Sequence, residues 1–357
     1  MKRAHWSVAM LVIAGVAMTG CSSKTASKGV STSSSTTANS KETGPVVLVT
    51  YADYAIDETV KSQVEASIGA KIEVRMNGDA GAALSKAIVT AGKPEGDVFF
   101  GVDNTSMTRA IDARLFDGYT PNLLAQVPPA MDLDKSHRMV PIDSGSVCVD
   151  YDKKWFADKG LAPPTSFDDL ADPKYKKLLA IENPVTSSPG LVFLMATHAK
   201  YGTGAADYWR KLKANGVAVV GSWGDAWNTR YTVHKGDRPL VISYASSPPA
   251  EVVYDNLKEP QSGVIENTCA RQVEMAGVLR GAAHPVLARK LIDAMLTPLW
   301  QGSLPTSNFV DPIRTDVAIP DVYKQFAAHL SAPISIDPAA AGANRDKWID
   351  EWRSIVE

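Results

Sequence analysis

From residue 45 onward, short runs of β-branched and other apolar residues alternate with longer amphipathic segments. This alternation limits the fold more than any other feature of the sequence, because it is typical of α/β domains with mainly parallel sheets. The runs form two series, over residues 45–145 and 146–270, and a later run predicts one more strand at 271–277. We therefore expect an α/β fold of two lobes joined by crossing strands. Each lobe would be a mainly parallel sheet flanked by helices, with a ligand cleft between the lobes.

The chain of 357 residues is longer than one core usually organises, which supports two domains. We expect lobe 1 to comprise residues 45–145 and 271–315. Lobe 2 would comprise residues 146–270, with C-terminal helices within 316–357 packing on it. The periodicity predicts strands at 46–51, 71–76, 97–101, 146–151, 178–182, 217–220, 239–244 and 271–277. It predicts helices at 57–68, 82–90, 106–114, 167–170, 188–201, 205–214, 224–234 and 285–296.

Residues 1–21 have the features of a bacterial lipoprotein signal peptide. Lys2 and Arg3 precede an apolar run at 6–18, which is shorter than the ~20 residues that a membrane-spanning helix needs. The sequence Met18-Thr19-Gly20-Cys21 then matches the lipobox, in which the cysteine is acylated, for instance with palmitate, and becomes the new N-terminus. We expect lipidation at Cys21. The alternative is an uncleaved or ordinarily cleaved signal with a chance cysteine.

The segment 22–44 contains thirteen serines or threonines and almost nothing apolar. Such a composition cannot bury enough surface to offset the entropy of ordering the chain, so we expect a disordered, flexible tether. A lipid anchor followed by a tether implies a protein held at the membrane and working beside it. We therefore expect the folded part to lie at the extracytoplasmic face of the bacterial cell membrane.

Composition and motifs argue against several classes of function. Lysine plus arginine number 37 and aspartate plus glutamate 39, so charge gives no reason to expect nucleic acid as a partner. Three cysteines without close spacing exclude a zinc ribbon or a CxxC redox site, and scattered histidines predict no metal site. The sequence has no nucleophile elbow, phosphate loop or dinucleotide motif. We expect a protein that is not an enzyme, with no catalytic residues and no cofactor.

Aromatic and polar residues follow two of the predicted strands in lobe 1. Tyr51 and Tyr54 come at the end of the first strand, and Asp103 and Asn104 follow the third. Because the carboxyl ends of parallel strands face the crevice of such a sheet, these side chains are candidates for contacting a ligand. Ordinary aromatic packing and helix capping are the alternative roles.

Lobe 2 contributes two further candidate features. Trp223 and Trp227 lie four residues apart on a predicted helix just after a strand, so one or both can reach the cleft. The sequence Thr186-Ser187-Ser188-Pro189-Gly190 precedes an apolar helix and suits its N-terminal cap. The same loop presents hydroxyl and N–H groups that can bind an anion or a ligand oxygen.

These segments resemble the thiamine-binding proteins of ABC importers, within the two-lobed extracytoplasmic solute receptors. The resemblance spans nearly the whole chain after residue 45 and implies the type II periplasmic-binding-protein-like fold. It is carried, in family order, by TYADY at 50–54, DVFFGVDN at 97–104, TSSPGL at 186–191, GSWGDA at 221–226, SYASSP at 243–248, QVE at 272–274, LPTSN at 304–308 and WIDEW at 348–352.

The resemblance implies a binding site of aromatic faces, one carboxylate and several hydroxyls, which suits a heterocyclic cation. The implied site residues are Tyr51, Asp103, Thr186, Ser187, Ser188, Trp223, Tyr244 and Phe309. Two positions depart from the family. Phe309 stands where the family usually has tryptophan, and Ala250 stands where it can have tyrosine. The implied ligand is thiamine, a thiamine phosphate or a related heterocyclic cation.

The resemblance further implies a monomer that captures this ligand and delivers it to an ABC permease and its ATPase. A receptor of the same fold for ferric ion or another small cation is the main alternative, although the sequence offers no adjacent tyrosine pair. An enzyme on this scaffold and an adhesive surface lipoprotein are two others.

Cys148 and Cys269 fall in or beside the strands that we assign to the crossings between lobes. Crossing strands in such receptors run side by side, and the extracytoplasmic compartment is oxidising, so we expect a disulfide between them. Two separate buried thiols are the alternative.

Overall fold

The structure is a computed structural model that describes residues 42–357. Cys21 and most of the expected tether lie outside the described residues. The strands are β1 (Val46–Thr50), β2 (Ile72–Met76), β3 (Val98–Asp103), β4 (Phe116–Asp117), β5 (Val140–Asp152), β6 (Leu179–Glu182), β7 (Ala218–Val220), β8 (Leu240–Tyr244), β9 (Ser262–Leu279) and β10 (Asp311–Pro312). The helices are α1 (Glu58–Ile68), α2 (Ala80–Val89), α3 (Met107–Asp112), α4 (Lys153–Lys159), α5 (Phe167–Leu170), α6 (Ser188–Tyr201), α7 (Ala205–Ala214), α8 (Trp223–Asp225), α9 (Ser247–Tyr254), α10 (Pro285–Met295), α11 (Pro298–Ser307), α12 (Asp321–Phe326) and α13 (Pro338–Val356).

The strands of residues 42–357 form one mixed sheet. Its main path is β2-β1-β3-β9-β5-β8-β6-β7, with β4 beside β9 and β10 beside β5. Strands β2, β1 and β3 are parallel to one another, and so are β8, β6 and β7. Between these groups, β9 and β5 pair antiparallel over most of their length. Each lobe therefore has the expected mainly parallel sheet flanked by helices, and two long strands join the lobes.

Buried side chains form separate cores on the two sides of the crossing strands. In lobe 1, two clusters draw their residues from 46–142 and 273–313. In lobe 2, one large cluster draws its residues from 147–270 and 336–356. Helices cover both faces of the sheet, which is why β1 and β3 are almost continuous runs of apolar residues. In the second core, Ile349 and Trp352 of α13 pack among the residues of lobe 2.

The predicted helix at 224–234 is wrong in form. The chain makes one helical turn in α8, a wider π-helical turn at Ala226–Arg230 and a 3₁₀ turn at Thr232–His234. Two large rings are buried at this wider turn. The side chains of Trp227 and Tyr231 both pack against β6 and β8. Local widening of this kind re-aims side chains and is frequent at functional sites.

The two crossing strands are longer than predicted. The expected strand at 146–151 is part of the thirteen-residue β5, and that at 271–277 is part of the eighteen-residue β9. The predictions stopped short because Pro141 and Asp143 interrupt the apolar pattern in β5, and the run Glu266-Asn267-Thr268 interrupts it in β9. Asp143 has polar neighbours in Gln272 and Glu274, which lie in the predicted part of β9. These polar side chains lie in the middle of the sheet, between the two cores.

At the amino end of the described chain, the Glu42 carboxylate accepts the backbone N–H groups of Val286 at 3.0 Å and Leu287 at 2.9 Å. These N–H groups belong to the first turn of α10 and have no partner within the helix. The last residues of the expected tether are thus in contact with lobe 1. Within residues 42–357, no helix combines the length and apolar character that crossing a membrane requires.

Cys148 of β5 and Cys269 of β9 form a disulfide, with their Cα atoms 4.1 Å apart. Both residues are almost completely buried, and Ala245 completes this small cluster. The bond fastens the two crossing strands to each other and closes a loop across a sequence separation of 121 residues.

We predict that replacing both cysteines, as Cys148→Ser with Cys269→Ser, lowers the free energy of unfolding by about 2–5 kcal/mol, because the unfolded chain regains the freedom that the cross-link removes. Urea unfolding of the chain with and without the two changes measures this loss. Alkylation of unreduced, denatured protein carrying Cys21→Ser checks the bond itself, and uptake of two labels would contradict it.

Candidate ligand-binding site

A cavity of about 260 Å³ lies between the two lobes, beside the crossing strands. Asp143 of β5 and Glu274 of β9 line it from the middle of the sheet. Tyr51 directly follows β1 and Tyr244 ends β8, so both lobes present the carboxyl end of a parallel strand to this space. This is the crevice in which open α/β sheets bind their ligands.

Aromatic rings make up much of the cavity wall. Trp223 and Trp227 stack with their ring centroids 5.8 Å apart and their planes 13° from parallel. The Trp223 indole nitrogen Nε1 donates to the Ser243 hydroxyl at 3.0 Å, which fixes the ring plane. Tyr244 lies 6.5 Å from Trp223, and Tyr51 faces the cavity from the other lobe. Such a wall binds flat rings and attracts cations.

The position of the Tyr51 ring depends on a glycine, Gly101, in the neighbouring strand β3. Gly101 interrupts the register of β3 against β9, and its φ of +116° is one that only glycine adopts easily. A Cβ at Gly101 would lie 2.8 Å from the Tyr51 ring. The bulge therefore makes room for the ring and holds it toward the cavity.

Phe309 and Tyr254 close another side of the cavity. Their rings meet edge to face at 5.1 Å. Phe309 has φ of +52°, an uncommon conformation for a bulky residue, and its carbonyl accepts the Ser246 hydroxyl. Tyr254 lies one helical turn after Ala250 on α9, and both line the cavity. Tyr254 thus supplies an aromatic wall on the same helix face as Ala250, whose own side chain is only a methyl group.

Four carboxyl groups line the cavity, from Asp53, Asp79, Asp143 and Glu274. Glu274 accepts the Tyr51 hydroxyl at 3.1 Å. Asp79 accepts the backbone N–H of Trp223 at 2.8 Å and that of Ala80 at 2.6 Å. Among the described residues that line the cavity, none is lysine, arginine or histidine. The wall therefore combines aromatic faces with acidic groups and no cationic side chain.

Burial raises the pKa of these carboxyl groups. The pKa of Glu274 rises to about 8, first because the group is buried and then because the Asp103 carboxylate is near. Burial and the proximity of Glu274 raise the pKa of Asp143 well above its usual range. Burial also raises the pKa of Asp79, although the two N–H donors partly offset this effect. The acid pair of Asp143 and Glu274 is thus held partly protonated near neutral pH.

Comparison with known proteins agrees with this architecture. Residues 94–326 match the model of a family described as bacterial extracellular solute-binding protein. The chain belongs to this family. A solute-binding protein needs a space that can enclose a small molecule, and the cavity between the lobes is such a space.

Two curated relatives are similar in sequence to this solute-binding protein over most of the length of the chain. A thiamine-binding periplasmic protein of Salmonella typhimurium is 29% identical over 318 residues, covering 87% of this chain and 94% of its own. The protein of the same description from Escherichia coli is 28% identical over 319 residues, with the same coverage of 87% and 94%. Both relatives are described as binding proteins.

Solved structures show the same fold. A periplasmic thiamin binding protein superposes with a TM-score of 0.79 at 25% identity, covering 87% of this chain and 96% of its own. A ferric binding protein from Campylobacter jejuni reaches a TM-score of 0.71 at 18% identity, covering 87% and 99%. The expected two-lobed, type II periplasmic-binding-protein-like fold is confirmed.

The structure brings five of the eight expected site residues to the cavity. These are Tyr51, Ser188, Trp223, Tyr244 and Phe309. The other three, Asp103, Thr186 and Ser187, are not in its wall. Thr186 donates its hydroxyl to the Gly221 carbonyl at 2.6 Å, and Ser187 is buried at the start of α6. The hydroxyl loop therefore reaches the cavity through Ser188.

Asp103 lies directly behind the cavity wall. Its Oδ1 accepts the N–H of Thr105 at 2.9 Å and that of Ser106 at 3.0 Å, which caps the turn leading into α3. Its Oδ2 accepts the Ser188 hydroxyl and, at 3.1 Å, the Gln272 side-chain amide. Asp103 thus orients two residues that do face the cavity, and the carboxyl groups in the wall belong to other residues.

Sequence reasoning missed the acidic groups and Tyr254. Glu274 and Gln272 occupy alternate positions of an otherwise apolar part of β9, so their side chains share one face of the sheet. Polar residues at alternate positions of a buried strand need hydrogen-bond partners or a ligand. This spacing could have identified Gln272 and Glu274 as candidate site residues from the sequence. Asp79 gave no such signal, because an aspartate before a helix is an ordinary cap.

We predict that the stability of the unliganded protein falls as the pH rises between about 5 and 8, because the pKa of Glu274 rises from 4.5 to about 8 on folding. In that range the folded protein keeps a proton that the unfolded chain has lost. This group contributes at most about 1.4 kcal/mol per pH unit. Urea unfolding at several pH values should show a shallower decline for Glu274→Gln.

Glu266→Gln is the matched control, because Glu266 is an exposed glutamate on the same strand. The free energy of unfolding of Glu266→Gln should decline with rising pH as steeply as that of the unchanged protein. A Glu274→Gln variant with an unaltered pH dependence would mean that Glu274 is ionised in the folded state.

Proposed function

We propose that this solute-binding protein captures thiamine, or a close heterocyclic cation, outside the cytoplasm. The observation that carries the proposal is the cavity wall, in which aromatic faces from both lobes surround acidic groups without any cationic side chain among the described residues. Thiamine pairs an aminopyrimidine with a positively charged thiazolium ring. Each aromatic face attracts such a cation by about 0.5–2 kcal/mol, and more when water is excluded. The names of the two curated relatives support the same ligand.

The site favours the unphosphorylated cation over thiamine phosphates. A phosphate group is bound through positive charge or free N–H groups, and the described residues of the wall include no cationic side chain. The carboxyl groups that ionise beside a bound cation would also repel the phosphate. The start of α6 is the place where the sequence suggests anion binding, but the Ser188 hydroxyl there already donates to the Asp103 carboxylate. A phosphate at this point would have to compete with a buried carboxylate.

A ferric-ion receptor is a weaker candidate. Tyr51 and Tyr244 both line the cavity and could offer phenol oxygens to a metal ion, and a ferric binding protein shares the fold. However, residues 42–357 contain no group of three or more histidine, cysteine, aspartate or glutamate side chains placed to hold a metal ion. The stacked indoles of Trp223 and Trp227 are also suited to a flat organic ligand.

The proposed role in the cell rests on family membership and on the amino-terminal sequence. We propose that the protein is acylated at Cys21, remains on the extracytoplasmic face of the membrane, and delivers its ligand as a monomer to an ABC permease with its ATPase. The lipobox and the Ser/Thr-rich tether support the anchor. Belonging to the solute-binding family supports delivery to a permease.

We predict that thiamine binds to the unchanged protein and that Trp223→Leu weakens binding by roughly 1–3 kcal/mol, because the variant loses an aromatic face over the cation. Isothermal titration calorimetry measures both affinities. Trp348→Leu is the control, since it removes an indole that stacks on His198 outside the cavity wall.

The same titration distinguishes the ligands. Thiamine monophosphate should bind no more tightly than thiamine, and 2-aminoethylphosphonate, which has no aromatic ring and carries an anionic group, should not bind. Tighter binding of the phosphorylated form, or equal loss of affinity in Trp223→Leu and Trp348→Leu, would contradict the proposed recognition.

For the anchor, we predict that Cys21→Ser moves the protein from the membrane fraction to the soluble fraction, because the acyl chains have lost their attachment site. Fractionation of cells that express each form checks this outcome. Ser23→Ala is the control, because it leaves the cysteine intact and should remain at the membrane. Full membrane retention of Cys21→Ser would contradict the proposal.

A further inference from the structure

The two lobes also meet at the edge of the cavity, along a line of contacts that we call the closure seam. It consists of Asp79, Gly81 and Ala82 from lobe 1 with Thr186 and Trp223 from lobe 2. The Ala82 backbone N–H donates to the Thr186 carbonyl at 3.1 Å, and the Trp223 backbone N–H donates to Asp79 Oδ2 at 2.8 Å. The space that remains beside the seam is only about 10 Å³, no more than one water molecule needs.

Gly81 is the residue that allows the lobes to come so close. A Cβ at this position would lie 2.7 Å from the Thr186 carbonyl oxygen and 3.0 Å from that of Val185. Both are backbone atoms, so no side-chain rotation relieves the overlap, and the two lobes would have to move apart.

Helix α2 itself does not require a glycine there. Gly81 is the second residue of α2 and does not have the positive φ that would exclude other residues. Alanine suits a helix at least as well as glycine does. The glycine therefore serves the contact between the lobes and not the folding of α2.

Asp79 connects the seam to the ligand. One carboxylate oxygen caps α2 by accepting the Ala80 N–H, and the other accepts the N–H of Trp223 from lobe 2. The Trp223 side chain lines the cavity. Contact at the seam consequently fixes the backbone of an aromatic residue that faces the cavity.

We propose that Gly81 and Asp79 are positioning residues for ligand capture: the close approach at Gly81 lets Asp79 hold Trp223 over the bound ligand when the lobes close. Gly81 does not line the cavity, so its effect is exerted through closure alone. The inference rests on the proposed function. When only part of a population can reach the closed form, the apparent affinity falls in proportion to that part.

The test compares Gly81→Ala with Gly302→Ala. Gly302 is also a helical glycine, and a Cβ there meets open space. Stopped-flow tryptophan fluorescence with thiamine should show dissociation about tenfold faster for Gly81→Ala, with association little changed and thermal stability equal or higher. Gly302→Ala should match the unchanged protein.

A second measurement reports closure without relying on thiamine. Spin labels at the exposed residues Val89 in lobe 1 and Lys211 in lobe 2, introduced as Val89→Cys and Lys211→Cys in the chain with Cys21→Ser, give the closed fraction by pulsed electron paramagnetic resonance. Gly81→Ala should reduce the closed fraction and Gly302→Ala should not.

The outcomes separate the two proposals. If the unchanged protein binds no thiamine, the proposed function fails, and the closed fractions of the unliganded variants still decide the inference. Equal closed fractions in Gly81→Ala and Gly302→Ala, or equal dissociation rates, would overturn the role of Gly81.

Discussion

The antiparallel pairing of β5 with β9 is the interaction on which the rest of the structure depends. Each strand runs from the core of one lobe into the core of the other, so the same two segments join the parallel strands of both lobes into one sheet. The disulfide between Cys148 and Cys269 fastens the strands together within this pair. Because the cavity lies beside the crossing, the strands that join the lobes also supply part of its wall.

The pairing brings acidic groups into a place where ionised carboxylates are costly. Glu274 and Asp143 are buried near one another, and burial raises the pKa of both. A cation in the cavity would stabilise their ionised forms and remove part of that cost. The arrangement is therefore less favourable for the unliganded protein than an apolar wall, and the positively charged solute that we propose accounts for it.

Two residues near the cavity, Gly101 and Phe309, have a positive φ, which glycine adopts easily and a bulky residue rarely does. The positive φ of Gly101 makes room for the Tyr51 ring, and the positive φ of Phe309 turns its ring toward Tyr254. Such conformations persist when surrounding contacts hold them, as the hydroxyl of Ser246 does for Phe309. The aromatic wall is thus set by the backbone as well as by the choice of side chains.

The sequence by itself determined the class of fold and much of the aromatic wall. Alternating strand and helix patterns are local signals, and residues that follow parallel strands fall at a common edge, which is why Tyr51 and Trp223 were found. Tyr244 was named only by the resemblance to the thiamine-binding family. Only the tertiary structure decided three other features. These are the carboxyl groups in the cavity wall, the position of Asp103 behind Ser188, and the short distance between Gly81 and Thr186. Each depends on how two segments distant in sequence meet across the lobes, and no local pattern encodes that distance.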